Sequence, residues 1–104
     1  MQRPEVTPWT GPGPADEETL RAVMEAEGLV PRRWSNGPGD RYAPHDHPYH
    51  KVLYCVSGSI TFEIVATGER VTLRAGDRLD LPAGVVHAAL VGPEGVVCIE
   101  APRR

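Results

Sequence analysis

The sequence predicts an all-β domain, an antiparallel sandwich or barrel of short strands, preceded by one short helix. Glycine and proline number 11 each among 104 residues, which indicates many turns and disfavours a bundle of long helices. From Arg32 onward, short apolar runs are separated by turn sequences at close intervals, a pattern typical of sandwiches and barrels. A chain of this length holds one domain, with or without a tail.

Residues 1–13 are predicted to form a flexible N-terminal arm, because three prolines and two glycines leave no room for a regular element. Trp9 is the exception in this segment, and it could attach the arm to the domain or to a partner subunit. Residues 14–104 are then a single domain, which includes a helix at 14–27.

The helix at 14–27 is predicted from its ends and from one apolar stripe. Pro14 suits the first turn, and the three acidic residues at 16–18 suit the positive end of the helix dipole. Gly28 is a typical helix terminator. Because the stripe is narrow, we expect the helix on the outside of the domain; the stripe comprises Leu20, Val23 and Met24.

The rest of the chain predicts short strands joined by turns. Alternation is clearest at Ile60, Phe62 and Ile64, where every second residue is apolar, so one face should be buried. The predicted strands are 51–56, 60–66, 70–73, 79–81, 85–91 and 96–101. The predicted turns are 57–59, 67–69, 75–77, 82–84 and 92–95.

Charge and composition argue against several classes of partner. A net charge of −3 offers no basic surface for nucleic acid or an anionic membrane. No apolar run approaches the ~18 residues of a membrane helix, and the N-terminus lacks the apolar core of a signal peptide. Cys55 and Cys98 lie within apolar runs and are interpreted as buried thiols in a reducing compartment. We therefore expect a cytoplasmic protein.

Three of the four histidines lie within residues 45–50. His45 and His47 are two residues apart, so an extended chain places both rings on one face, where they can hold one ion. Taken alone, such a pair is more typical of solvated loop histidines. The fourth histidine, His87, follows the turn at 82–84 and begins another strand.

The histidines stand within two glycine-bounded motifs. These are Gly39-x5-His45-x-His47-x3-Lys51-x6-Gly58 and Gly76-x5-Pro82-x-Gly84-x2-His87. In order and spacing they resemble the two signature motifs of the cupin superfamily, a likeness that covers about half of the chain. The resemblance implies a small jelly-roll β-barrel and a divalent metal ion held by His45, His47 and His87. Since this fold hosts many activities, it does not by itself imply one function.

The motifs depart from the family pattern at two positions. Lys51 stands where the first motif has glutamate, and Val91 where the second has asparagine. Along an extended strand, every second residue faces the same side, so Lys51 shares the inward side (inward parity) with His45 and His47. At ~5 Å and an effective dielectric constant of ~20, its ammonium group would repel a metal cation by several kcal/mol. Three outcomes are open: Lys51 loses its proton, it pairs with a carboxylate such as Glu63 or Glu100, or the site binds an anionic ligand and no metal. His50 has outward parity and does not easily replace the missing carboxylate.

Parity also selects the pocket residues. Lys51, Tyr49 and Leu53 are expected to line the pocket, although an inward tyrosine is as often plain packing. Lys51 is the candidate catalytic residue, as a neutral base or a hydrogen-bond partner. The rim of the opening could include Trp34, Arg41 and Tyr42, which precede the histidines; otherwise these residues belong to a surface loop.

Several functions fit these residues. The first is metal-dependent binding or transformation of a small, anionic organic molecule, with Zn, Fe, Mn, Ni or Cu as cofactor. The second is a non-catalytic small-ligand-binding or regulatory module without metal, and the third a structural barrel with remnant histidines. Whether the protein is an enzyme stays open. Apolar outer residues such as Val65 and Leu90, with the proline-rich arm, suggest a homodimer, as many cupins form.

Overall fold

Seven strands and one helix make up the computed structural model, which describes residues 3–103. The arrangement is the all-β jelly roll with one short helix that the sequence predicted. The elements are β1 Glu5–Thr7, α1 Glu17–Ala26, β2 Arg32–Asn36, β3 Arg41–His45, β4 His50–Ile64, β5 Glu69–Arg74, β6 Arg78–Leu81 and β7 His87–Arg103.

Two long antiparallel strands, β4 and β7, pair along most of their length and take part in both halves of the sandwich. The first half of β4 and the second half of β7 belong to a five-stranded layer in the order β1-β6-β4-β7-β2. The second half of β4 and the first half of β7 pair with β5 and β3 to form a four-stranded layer. The two layers enclose the interior and leave an opening where β3 ends and β7 begins.

The turns predicted at 57–59 and 92–95 are wrong, because both segments are bends within continuous strands. The β4–β7 register shifts on both sides of Gly58, which has a φ of +73°. A Cβ atom at Gly58 would lie 2.0 Å from the carbonyl oxygen of Gly95. Glycine and proline suit a β-bulge as well as a turn, so local sequence does not distinguish the two.

Alternating residues of β4 face different neighbours. Leu53 and Cys55 point into the interior between the two layers, where Cys98 is also buried as a free thiol. Val52 and Tyr54 point outward and are covered by α1. The helix residues in this second cluster are Leu20 and Met24. The helix therefore lies on the outside of the five-stranded layer, as its narrow apolar stripe predicted.

The helix is shorter than the predicted 14–27. It begins at Glu17, because the Asp16 side chain accepts a hydrogen bond from the Thr19 amide at 2.9 Å and caps the first turn. At the other end, Gly28 has a φ of +79° and its amide donates to the Glu25 carbonyl, a Schellman termination. Within residues 3–103, no helix is both long and apolar enough to cross a membrane.

The N-terminal segment differs from the expectation of an arm without regular structure. Strand β1 pairs with the free edge of β6, with Val6 opposite Leu79. Trp9 packs beside the helix-side cluster, and its indole NH donates to the Gly13 carbonyl at 3.1 Å. A three-residue strand is too short to show alternation in the sequence, so it cannot be predicted from the pattern. It forms because β6 offers a free edge with which it can pair. Residues 1 and 2 of the predicted arm lie outside the described residues.

Candidate functional site

Three histidines from separate parts of the chain meet at the opening between the two layers. His45 ends β3 and His87 begins β7, and the two residues are register partners in that ladder. His47 lies in the connection between β3 and β4. One ring nitrogen from each of the three lies within 4.8 Å of the others. The structure therefore brings together the histidines of both sequence motifs.

Backbone carbonyls orient two of the rings. His45 Nδ1 lies 2.8 Å from the carbonyl oxygen of Ala43, and His87 Nδ1 lies 2.9 Å from that of Val85. A carbonyl can only accept, so Nδ1 carries the proton and the Nε2 lone pair stays free in the neutral ring. His47 Nε2 is buried and has no hydrogen-bond partner among the described residues. This arrangement leaves imidazole lone pairs available for an electrophile.

The environment favours the neutral form of the buried rings. Burial lowers the pKa of His47, and the nearby Lys51 ammonium lowers it further. Burial is also the main cause that lowers the pKa of His87, with His45 and Lys51 acting in the same direction. Neutral imidazole is the form that binds a metal ion.

The triad opens into a cavity of about 280 Å³ between the layers. Its volume is at the small end of the range for ligand pockets, so it suits a small molecule. Four apolar side chains form one part of the wall: Leu53, Ile60, Phe62 and Ala89. The other lining residues, besides the triad, are Trp34, Tyr42, Lys51 and Glu100.

Lys51 faces the cavity and is paired with a carboxylate. Its Nζ lies 3.4 Å from Glu100 Oε2, and the other oxygen, Oε1, accepts a hydrogen bond from Trp34 Nε1 at 2.5 Å. Lys51 is only 9 % exposed. Of the two carboxylates considered from the sequence, the partner is Glu100, whereas Glu63 pairs with Arg70 on the outer surface.

Two other sequence candidates lie outside the cavity wall. Tyr49 is not among the lining residues, but its ring centroid lies 5.1 Å from that of His47. His50 points away from the interior, and its Nε2 lies 3.1 Å from Asp80 Oδ1. Leu53, with inward parity, lines the cavity.

Glu100 was predicted only as a possible partner of Lys51 and not as a residue of the pocket. The signal was available in β7, where Val96 and Cys98 are buried interior residues and Glu100 continues their period of two. An acidic residue on that face of a strand indicates a polar cavity or an ion pair.

Comparison with known proteins identifies the family. Residues 33–100 match the model of the cupin domain. Over 56 residues the chain is 41% identical to quercetin 2,3-dioxygenase of Bacillus subtilis (strain 168), a match that covers 52% of this chain but only 16% of that protein.

Solved structures show the same fold. An RmlC-like cupin from Shewanella frigidimarina NCIMB 400 is 28% identical with a TM-score of 0.60, covering 73% of this chain and 68% of the other. A DUF861 family protein from Thermotoga maritima has a TM-score of 0.67 at 14% identity, covering 97% of this chain and 100% of the other. The cupin-domain match spans more than half of the chain and includes the histidine triad, and the chain therefore belongs to the cupin family.

Proposed function

We propose that the protein binds a divalent metal ion through His45, His47 and His87, and uses it to bind or transform a small anionic organic molecule. The observation that carries the proposal is the convergence of three ring nitrogens within 4.8 Å at the mouth of an internal cavity. Three imidazoles with further open positions form a suitable site for Zn, Fe, Mn, Ni or Cu.

The donor set supports this assignment. Two of the rings donate Nδ1–H to backbone carbonyls and so present unprotonated Nε2 atoms. The third ring, His47, has a buried Nε2 without a partner among the residues described, a costly arrangement unless another group binds there. A bound divalent ion would satisfy these nitrogens and supply Lewis-acid chemistry.

Charge favours an anionic ligand. Neutral imidazoles leave the full formal charge on a bound cation, and Glu100 is already paired with Lys51. A ligand that brings its own carboxylate or enediolate would supply the missing negative charge. The small cavity and its apolar wall then limit the ligand to a compact molecule with a short carbon skeleton.

A second candidate function is supported by Lys51, which stands where the family has a carboxylate. An ammonium group in the cavity wall, together with the triad, could receive an anionic ligand without any metal. In that case the protein would be a ligand-binding or regulatory module. The two candidates differ in whether ligand binding requires the ion.

Elemental analysis of untagged protein, followed by calorimetric titration with Zn²⁺, Mn²⁺, Ni²⁺ and Co²⁺, tests the metal site. We expect about one ion per chain. His47→Ala should lower the affinity at least about 100-fold, whereas His50→Ala, which changes a histidine outside the cavity, should leave it within about threefold. Absence of stoichiometric metal after reconstitution would contradict the proposal. Ligand binding by the metal-free protein would then favour the second candidate.

Catalysis needs a separate test. The match to quercetin 2,3-dioxygenase covers only 16% of that protein, so it does not carry an activity over to this chain. Loaded protein should be incubated aerobically and anaerobically with small carboxylates and enolisable compounds. Turnover that His87→Ala abolishes would make the protein an enzyme. Saturable binding without turnover would make it a binding module.

We also propose a homodimer. Val65 and Leu90 are large apolar residues that are 47% and 39% exposed, and both belong to the four-stranded layer or its edge. A partner copy would cover them. Light scattering should give the dimer mass, and Leu90→Asp should shift it to that of the monomer. A monomeric wild type would contradict this proposal.

A further inference from the structure

Glu100 places a fixed hydrogen-bond acceptor in the wall of the cavity into which the histidine triad opens. Trp34 donates to one carboxylate oxygen at 2.5 Å, and the Lys51 ammonium lies 3.4 Å from the other. Neither contact closes the carboxylate off, because Glu100 still lines the cavity. The position of this acceptor is therefore set before any ligand enters.

The carboxylate retains unused acceptor capacity. Its two oxygens have about four lone-pair sites, of which the two named partners occupy one on each oxygen. A ligand group beside Glu100 must donate a hydrogen bond to use the remaining sites. A ligand that presents only acceptors there would face a carboxylate at close range and be repelled.

We infer that the ligand is a small hydroxycarboxylate, whose anionic oxygens bind at the triad and whose hydroxyl group donates to Glu100. This inference rests on the proposed function and deepens it by naming the ligand class. Lys51 adds a general attraction for anions, and Glu100 selects those that carry a donor. The two residues thus have different roles, although they touch.

The rest of the cavity fits such a molecule. Phe62, Ile60 and Leu53 present only carbon to the ligand, which suits a short alkyl portion. A hydroxyl group beside Glu100 can donate to the carboxylate, whereas an ether oxygen in the same place brings a second acceptor against it and is repelled, so the site should discriminate between the two. The discrimination should therefore be visible even for weakly bound compounds.

Two isomeric acids provide the test: 2-hydroxybutanoate, which has a donor, and 2-methoxypropanoate, which has the same atoms and no donor. Each is titrated by calorimetry into full-length protein loaded with Co²⁺, and the cobalt absorption spectrum is followed in parallel. For the wild type we expect the hydroxy acid to bind at least about tenfold more tightly. Equal affinities would overturn the inference without requiring any variant.

Variants then separate the two roles. Glu100→Gln keeps the shape but loses the negative charge and replaces one acceptor oxygen with an NH₂ donor. Only one neutral, weaker acceptor site then remains, so at saturating Co²⁺ the preference should fall below about threefold. Lys51→Met should weaken both acids alike and keep their ratio. An unchanged preference in folded Glu100→Gln protein would assign the selectivity elsewhere. Failure of the wild type to bind Co²⁺ would instead overturn the metal site itself, and with it this inference.

Discussion

Lys51 and Glu100 form an ion pair across the two central strands, with 3.4 Å between Nζ and Oε2. The register partner of Glu100 is Leu53, so the pair lies diagonally on the inner face of the β4–β7 ladder. The cation occupies the position where the family motif has its carboxylate, and a carboxylate from the last strand lies beside it. With Lys51 in the motif position and Glu100 beside it, the cavity wall holds a paired cation and anion. The carboxylate that the family motif would supply as a metal ligand is absent from that position.

Substitution of Lys51 should strengthen metal binding. Lys51→Met removes the repulsion between the ammonium and a divalent ion, and Lys51→Glu replaces it with attraction. At ~5 Å and an effective dielectric constant of ~20 each step is worth a few kcal/mol before solvent screening. We expect at least about a tenfold gain in calorimetric Zn²⁺ affinity for Lys51→Glu, with Lys51→Met between it and the wild type. Equal affinities would mean that the ammonium lies too far from the ion to act on it.

Gly58 should be intolerant of any side chain. Its Cβ would lie 2.0 Å from the Gly95 carbonyl oxygen, at a backbone φ of +73°. We expect Gly58→Ala to lower the free energy of unfolding by about 3 kcal/mol or more. The matched control is Gly68→Ala, where φ is +72° but no atom lies within 4 Å, so the cost should be only about 1–2 kcal/mol. Urea denaturation measures both, and equal losses would show that backbone strain alone matters at Gly58.

Acid should loosen the contact between helix and sheet. Arg78 donates to both oxygens of Glu27, at 2.6 and 3.0 Å, and this bond lowers the pKa of the Glu27 carboxyl below its ordinary 4.5 despite opposition from burial. Since the folded-state pKa is the lower one, the stabilisation is complete above pH 4.5. It is lost as the pH falls through the folded-state pKa. Melting temperatures measured from pH 7 to pH 3 should show this loss.

Arg78→Met should reduce that part of the acid dependence without abolishing it, because Arg103 also donates to Glu27 and lowers the pKa of its carboxyl. It should also cost about 1–3 kcal/mol at pH 7, because Asp80 loses the same partner at 2.9 Å. The control is Arg70→Met, which breaks an exposed pair with Glu63 and should change stability by less than about 0.5 kcal/mol. If both variants keep the wild-type pH profile, the bond from Arg78 to Glu27 does not contribute to the acid dependence.

The two thiols should resist modification in the native state. Cys55 and Cys98 are register partners, and both have no exposed surface. We expect a thiol reagent that releases a coloured product to react with neither cysteine at pH 7 in native protein, and with both after unfolding in urea. Rapid reaction of one thiol in native protein would show that the central ladder opens near the bend.

Local chemistry determined the parts of the fold and site that were predicted. Alternation along β4 placed Lys51 and Leu53 on the inner face and His50 on the outer one, as the structure shows. These are properties of neighbouring residues, and the period of a strand is sufficient to derive them. The convergence of His47 with His45 needed more than that period, because His47 lies in the connection after β3 and not in the strand.

By itself, the sequence determined the class of fold, the position of the helix on the outside of the domain, and which three histidines form the candidate site. Only the tertiary structure decided that the segments at 57–59 and 92–95 bend instead of turning, that β1 pairs with β6, and that Glu100 is the partner of Lys51. Each of these features depends on contacts between residues far apart in the chain. Glycine-rich segments and lone charges are compatible with several local conformations, and the choice among them is made by the strand that packs alongside.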